Sequence, residues 1–259
     1  MSPPERLKLL LFLALLSGAA GFLFTLLSCG TEYWLLAVES CRQVEDGDKG
    51  VRPGKVNIKQ AMDGVRIFHE GLFWRCSFMA LHSDFSMWDF WITNQPHSKI
   101  CQTAFLFPFP VGAPMWVEPH EQPSAIAFRA FWSIFLVTGV TAVLIGGFLV
   151  MCAASLASHK LYRIGGAFHA CGGLCLLAVV VMYLMWVQVM DTLEQFALHH
   201  KSSTCPSFHL NVQHGPSFLL APVAIFFFLL AGLLFFLMGQ STQRLELDRI
   251  DKSPSTTEL

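Results

Sequence analysis

The side chains of this chain with the widest chemical range are its eight cysteines and ten histidines. Four of the cysteines lie in polar segments of the chain: Cys41, Cys76, Cys101 and Cys205. Cysteines in such segments form disulfides in an oxidising compartment or bind zinc together with histidine. Zinc is the weaker hypothesis, because no closely spaced Cys-x-x-Cys pair accompanies His69, His97 or His209.

Catalytic motifs do not emerge from the sequence. It has no Gly-rich phosphate loop, no nucleophile elbow and no pair of acids within an apolar run. We therefore expect no enzymatic activity and no cofactor. The net charge of −1 gives no basis for nucleic-acid binding.

The elements that hold these residues are predicted to be membrane helices. Charged residues make up only 14% of the chain, against about 25% in ordinary globular domains. Four apolar runs are long enough to cross a hydrocarbon core about 30 Å thick, which takes about 20 helical residues. None contains Asp, Glu, Lys or Arg, and lipid leaves a backbone no partners other than its own helix. The runs cover residues 9–27, 130–154, 164–189 and 217–238.

The first run has an alternative interpretation as a cleavable signal peptide. Arg6 and Lys8 precede it, and a cluster of small residues, Ser17–Gly21, follows its first half. However, Phe22–Leu27 continues the run to spanning length. The length favours retention as a first membrane helix.

The Lys and Arg pattern predicts that both termini are cytoplasmic. We expect the protein to reside in the plasma membrane. Among the short segments, residues 1–8, 155–163 and 239–259 together carry seven Lys and Arg, whereas the segment 190–216 has only Lys201. The long segment 28–129 carries nine, but long segments cross membranes largely regardless of their charge. Short cytoplasmic segments carry the excess of positive charge. Residues 28–129 and 190–216 are then the outer segments.

The outer segments contain the four polar-segment cysteines and three apolar, aromatic stretches that predict strands. The stretches cover Tyr33–Val38, Gly71–Phe78 and Cys101–Phe107. Four cysteines allow three pairings, and the sequence alone does not choose among them. Adjacent strands favour Cys76–Cys101, which leaves Cys41–Cys205 as the second pair.

A run of residues in the first outer segment resembles the claudin and peripheral myelin protein 22 superfamily. The resemblance rests on Trp34, on the Gly-Leu-aromatic stretch from Gly71 to Cys76, on Cys101, and on Arg129 before the second span. It implies an integral membrane four-helix bundle with a small extracellular antiparallel β-sheet. It also implies that the protein recognises other membrane proteins and does not catalyse a reaction.

The chain departs from the claudin pattern in the same region. Phe73 occupies the position of the claudin tryptophan and Trp74 follows it, and Cys76 and Cys101 stand further apart than the paired claudin cysteines. The inserted segment holds Trp88 and Trp91. Aromatic and Arg side chains dominate the binding energy of interfaces. We therefore predict a partner-binding surface, whose members are Phe73, Arg75, Trp88 and Trp91, and we expect Trp34 and Trp74 to fill the core.

Within the predicted bundle, Gly-rich stretches allow close approach of the helix backbones, and homo-association through one such face is a further hypothesis. His169 is the only ionisable ring within a span, and we expect it to make a helix–helix hydrogen bond.

The last residues of the chain resemble a ligand of PDZ domains. Thr257 and Leu259, with a free carboxylate, fit the peptide that adds a strand to a PDZ sheet edge. A chance match is the alternative explanation.

The leading functional hypothesis is a non-enzymatic claudin-like protein that binds a cell-surface adhesion receptor. The resemblance implies adhesion-linked control of signalling or differentiation, with an integrin-type receptor as a partner class. Two alternatives are an auxiliary subunit of a channel or receptor, and a component of cell-junction strands.

Overall fold

The computed structural model of the 259-residue chain describes residues 3–41, 65–80, 99–103, 123–156, 158–188 and 208–251. These residues divide between two compact units. The bundle unit comprises Met1–Ser28, Leu106–Met185 and Leu219–Leu259, and the sheet unit comprises Cys29–Phe105 and Trp186–Phe218.

Four helices in the described residues are long and apolar enough to cross a membrane. They are α1 (Pro3–Gly30), α2 (Pro123–Leu156), α3 (His159–Gln188) and α4 (Pro216–Asp251). Each extends beyond the apolar run that predicts it at one end or at both. The largest extension is in α4, which continues through polar and charged residues to Asp251.

Small residues bring the helices of the bundle unit into backbone contact. A Cβ atom on Gly166 of α3 would lie 2.8 Å from the carbonyl oxygen of Gly232 in α4. On the side of α3 that faces α2, a Cβ on Gly165 would lie 3.1 Å from the carbonyl oxygen of Gly146. Since lipid provides little hydrophobic driving force between helices, such close packing is what holds a membrane bundle together.

The buried ring of His169 lies among three other helices. Its Nδ1–H donates to the carbonyl of Gly165, one turn earlier in α3, at 2.9 Å. A Cβ on Gly18 of α1 would lie 3.2 Å from its Nε2, and the ring centroid is 5.1 Å from that of Phe235 in α4. The prediction that His169 makes a helix–helix hydrogen bond is therefore wrong for Nδ1, because its N–H donates to a carbonyl of its own helix.

The sheet unit contains a five-stranded antiparallel sheet with the order β4-β3-β2-β1-β5. The strands are β1 (Leu35–Cys41), β2 (Val65–Glu70), β3 (Trp74–Ala80), β4 (Ile100–Thr103) and β5 (Phe208–His214). The first four come from the segment between α1 and α2, and β5 comes from the segment between α3 and α4. The sheet therefore joins the two polar segments.

The predicted strands and the observed strands differ in number and position. Gly71–Phe73 form a turn, so that β3 begins at Trp74. Residues 104–107 of the third predicted strand lie outside the described residues. Strands β2 and β5 were not predicted. In β5, Phe208, Leu210 and Val212 alternate with polar residues, which is the pattern of a half-buried strand and could have identified it.

The core of the sheet lies on one face of the central strands. Tyr33, Leu36 and Phe78 are buried together, with Ile67 packed against them. Trp34 is also fully buried, and its ring meets the edge of Phe218 at 5.6 Å between centroids. The prediction that Trp34 fills the core is confirmed.

Candidate recognition site

The turn between β2 and β3 depends on a glycine. A Cβ on Gly71 would lie 2.7 Å from both the Glu32 Cα and the Thr31 carbonyl oxygen. The Gly71 N–H donates to the Trp74 carbonyl at 2.7 Å and closes the turn. Only glycine allows the turn to approach the backbone at the end of α1 this closely.

The two aromatic residues after Leu72 differ in exposure, and the second is more exposed than predicted. Leu72 is buried, Phe73 is half-buried, and the Trp74 side chain is 44% exposed. The prediction that Trp74 fills the core is therefore wrong. Trp74 is the first residue of β3, and this end position leaves its ring open to the surroundings.

A disulfide fastens β3 to the edge strand β4. Cys76 and Cys101 are opposite each other in the ladder, with a Cα–Cα distance of 4.1 Å, and their sulphur atoms are bonded. The neighbouring Ile100 is 66% exposed. The bond therefore holds a short edge strand with an exposed apolar residue beside the strand that begins with Trp74.

An ion pair holds the start of β4 against the segment that follows α1. Lys99 Nζ bonds to Glu32 Oε1, and both side chains are mostly buried. Burial opposes ionisation of Glu32, but the hydrogen bond and charge of Lys99 prevail and lower its pKa below the ordinary value. The Glu32 carboxylate thus remains charged at neutral pH.

A metal site is disfavoured by the bonded state of the cysteines. The Glu32 carboxylate and the two sulphur atoms of Cys76 and Cys101 lie within 4.8 Å of one another. Zinc binds thiolates, and a disulfide offers none. Of the three histidines of the zinc hypothesis, His69 is buried in the sheet core, His209 lies on β5, and His97 lies outside the described residues.

The remaining predicted site residues are described in part or not at all. Arg75 pairs through its backbone with Glu70 and Gln102, and its side chain lies outside the description. Five other predicted site residues lie outside the described residues: Trp88, Trp91, Cys205, Thr257 and Leu259.

The Cys41–Cys205 pairing remains a prediction, which the strand register supports. Cys41 is opposite Phe208 in the β1–β5 ladder. Cys205 precedes Phe208 by three residues, which span at most about 11 Å of chain. We therefore propose that this pair forms a second disulfide.

Comparison with known proteins places these features in a family. Residues 19–237 match the family model described as PMP-22/EMP/MP20/Claudin tight junction. The zebrafish (Danio rerio) protein named transmembrane protein 182 is 40% identical over 236 residues, which are 89% of this chain and 95% of the relative. The human protein of the same name is 39% identical over 92% of this chain and 98% of its own length. The chicken (Gallus gallus) protein is 40% identical over 91% and 97%, respectively.

Proposed function

Because this chain belongs to the PMP-22/EMP/MP20/claudin family, we propose that it is a non-enzymatic plasma-membrane protein whose outer sheet binds a cell-surface adhesion receptor. The partner class that we propose is an integrin-type receptor, and the consequence of binding is modulation of adhesion-linked signalling or differentiation. Both termini are cytoplasmic in this proposal, and the tail ending in Thr257 and Leu259 binds a PDZ-type scaffold.

The observation that carries the proposal is the exposed tryptophan ring at the start of β3. The Trp74 side chain remains exposed, and Phe73, which precedes it, is half-buried. Ile100 is also exposed, but it pairs with Ser77 at the other end of the β3–β4 ladder and on the opposite face of the sheet, so it is not part of this surface. Tryptophan is among the residues that contribute most binding energy when a partner covers them. The disulfide and the Lys99–Glu32 pair hold both strands in place, so little ordering entropy is lost on binding.

Proximity labelling from the outer segments of the full-length protein tests this function. We expect an adhesion receptor among the most strongly labelled surface proteins. Replacement of Trp74 with Ser should reduce that labelling about tenfold, because an exposed tryptophan anchor contributes on the order of 1–2 kcal/mol. The surface level of the protein should not change.

The matched control is Gln213→Ser, an exposed substitution on β5 at the opposite edge of the sheet. It should label the receptor as the wild type does. Labelling of a channel subunit or a junction scaffold in place of an adhesion receptor contradicts the proposal. So does undiminished labelling by Trp74→Ser.

A further inference from the structure

A histidine lies in the core of the sheet unit, in a place that usually holds an apolar residue. The His69 side chain on β2 is 0% exposed. Its ring stacks on Tyr33, with 4.8 Å between centroids and 8° between planes, and it meets Phe78 edge-on at 6.2 Å. Leu36 of β1 and Cys76 of β3 are its ladder neighbours. The imidazole thus forms part of the aromatic packing that joins three strands.

The charged and titratable groups around this ring come from two segments. Glu32 and Tyr33 precede β1, and Lys99 precedes β4. Cys76, on β3, is in a disulfide and does not titrate. Burial raises the pKa of Tyr33, so its hydroxyl stays neutral across the physiological range. Because the pKa of Glu32 is held below its ordinary value, its carboxylate stays charged in mild acid. Among these groups, His69 is therefore the one whose charge mild acid can change.

Burial is the main influence on the protonation of His69. Burial, and after it the positive charge of Lys99, lower the pKa of the imidazole from 6.5 to about 4, although the charge and backbone of Glu32 act in the opposite direction. Because the folded-state pKa is lowered, the opened core binds a proton that the closed core excludes. The stability from a neutral His69 is complete above about pH 6.5 and falls as the pH decreases towards 4.

We propose that the sheet unit is acid-sensitive, and that protonation of His69 loosens its core when the protein enters an acidified compartment. A cation between Tyr33 and Phe78 must reach water, which requires the Tyr33 segment to move away from β2. That segment is bonded into the sheet, since the Trp34 N–H donates to the Glu70 carbonyl at 3.0 Å and the Gly215 N–H donates to the Trp34 carbonyl at 2.9 Å. Opening therefore reaches β1, β2 and the end of β5. Release of a bound receptor in acid would follow, a consequence that rests on the proposed function.

Hydrogen exchange of the full-length protein in nanodiscs tests the inference without any partner. The ratio of opened to closed core should rise about 20-fold between neutral pH and pH 5.0. After correction for the intrinsic pH dependence of exchange, protection of the amides at 67–69 should fall by that factor. The variant His69→Phe keeps an aromatic ring that cannot be protonated, and its protection should be the same at both pH values.

The control His214→Phe removes an exposed histidine of the same sheet and keeps a ring beside Phe218. It should lose protection in acid as the wild type does. Equal protection of the wild type at both pH values overturns the inference, and so does acid loss that persists in His69→Phe.

An NMR titration of histidine-labelled wild-type protein covers the case in which His69→Phe does not fold. The His69 imidazole should remain neutral at pH 5.5, and titration of His69 near pH 6.5 in the folded protein would overturn the proposal. Because neither readout involves a receptor, failure of receptor labelling and failure of acid sensitivity are distinguishable.

Discussion

At the scale of single residues, two glycines of the sheet unit determine how closely its segments approach. Gly71 places the β2–β3 turn against the backbone of Thr31 and Glu32. A Cβ on Gly215 would lie 2.1 Å from the Tyr33 carbonyl oxygen. The atoms in the way are backbone atoms, which cannot rotate aside as side chains do. These glycines therefore have a steric role, in which even one methyl group is too large.

The substitution Gly71→Ala should destabilise the sheet unit by about 1–3 kcal/mol, the usual effect of overpacking. The reason is the 2.7 Å distance from the added Cβ to backbone atoms of Thr31 and Glu32. Thermal unfolding of the purified full-length protein, followed through the near-ultraviolet signal of its tryptophans, measures the loss. The control is Gly30→Ala, where an added Cβ meets nothing within 4 Å. Equal melting temperatures for the two variants would contradict the steric role.

At the scale of elements, the sheet is assembled from two chain segments that are distant in sequence. Strand β5 pairs along its whole length with β1, from Leu35–His214 to Cys41–Phe208. The Ser217 N–H, at the start of α4, donates to the Tyr33 carbonyl at 3.1 Å, and the Ser217 and Thr31 hydroxyls are 2.6 Å apart. Opposite edges of the sheet are therefore secured differently, by backbone pairing at β5 and by a disulfide and an ion pair at β4.

The substitution Cys76→Ser should release β4 and cost about 2–4 kcal/mol of stability, the usual contribution of a disulfide. Cys101 is then a free thiol on an exposed edge residue. We expect maleimide to label Cys101 in the variant and not in the wild type, and we expect retention of the variant in the secretory pathway. Cys152→Ser, which removes a cysteine that is free in the structure, should leave the labelling of Cys101 unchanged. A Cys101 that stays blocked in Cys76→Ser would show that it has another partner.

At the scale of the whole molecule, we predict one orientation for the four spans and the disulfide-bonded sheet, with both termini in the cytoplasm. The sheet needs an oxidising compartment for its disulfide. An even number of spans places both termini on the same side, and the Lys and Arg of the segments 1–8, 155–163 and 239–259 favour the cytoplasm. These two arguments are independent, and they lead to the same topology.

An epitope tag after Leu259 should stain only after cells are permeabilised, and a tag inserted beside Asp48 should stain intact cells. The reason is that the first lies in a predicted cytoplasmic tail and the second in the long predicted outer segment. Immunofluorescence with and without detergent measures both. Surface staining of the Leu259 tag would exclude the four-span topology, and the Asp48 tag serves as the control for delivery to the surface.

The sequence by itself determined the membrane character of this protein, its four helices and the family to which it belongs. Helices in lipid depend on length and composition alone, because every backbone group must bond within its own segment. The motif from Gly71 to Cys76 likewise carries its information locally. For this reason both could be predicted without knowledge of contacts between distant residues.

The tertiary structure alone decided which strands pair and which aromatic side chains are exposed. Strand β5 alternates Phe208, Leu210 and Val212 with polar residues, a local pattern that indicates a strand, but only the tertiary structure shows that β1 is its partner. Trp34 and Trp74 are the same residue type, yet one is fully buried and the other 44% exposed. His69 is buried because its strand lies between β1 and β3. Burial depends on neighbours that are remote in the chain, and no local pattern encodes them.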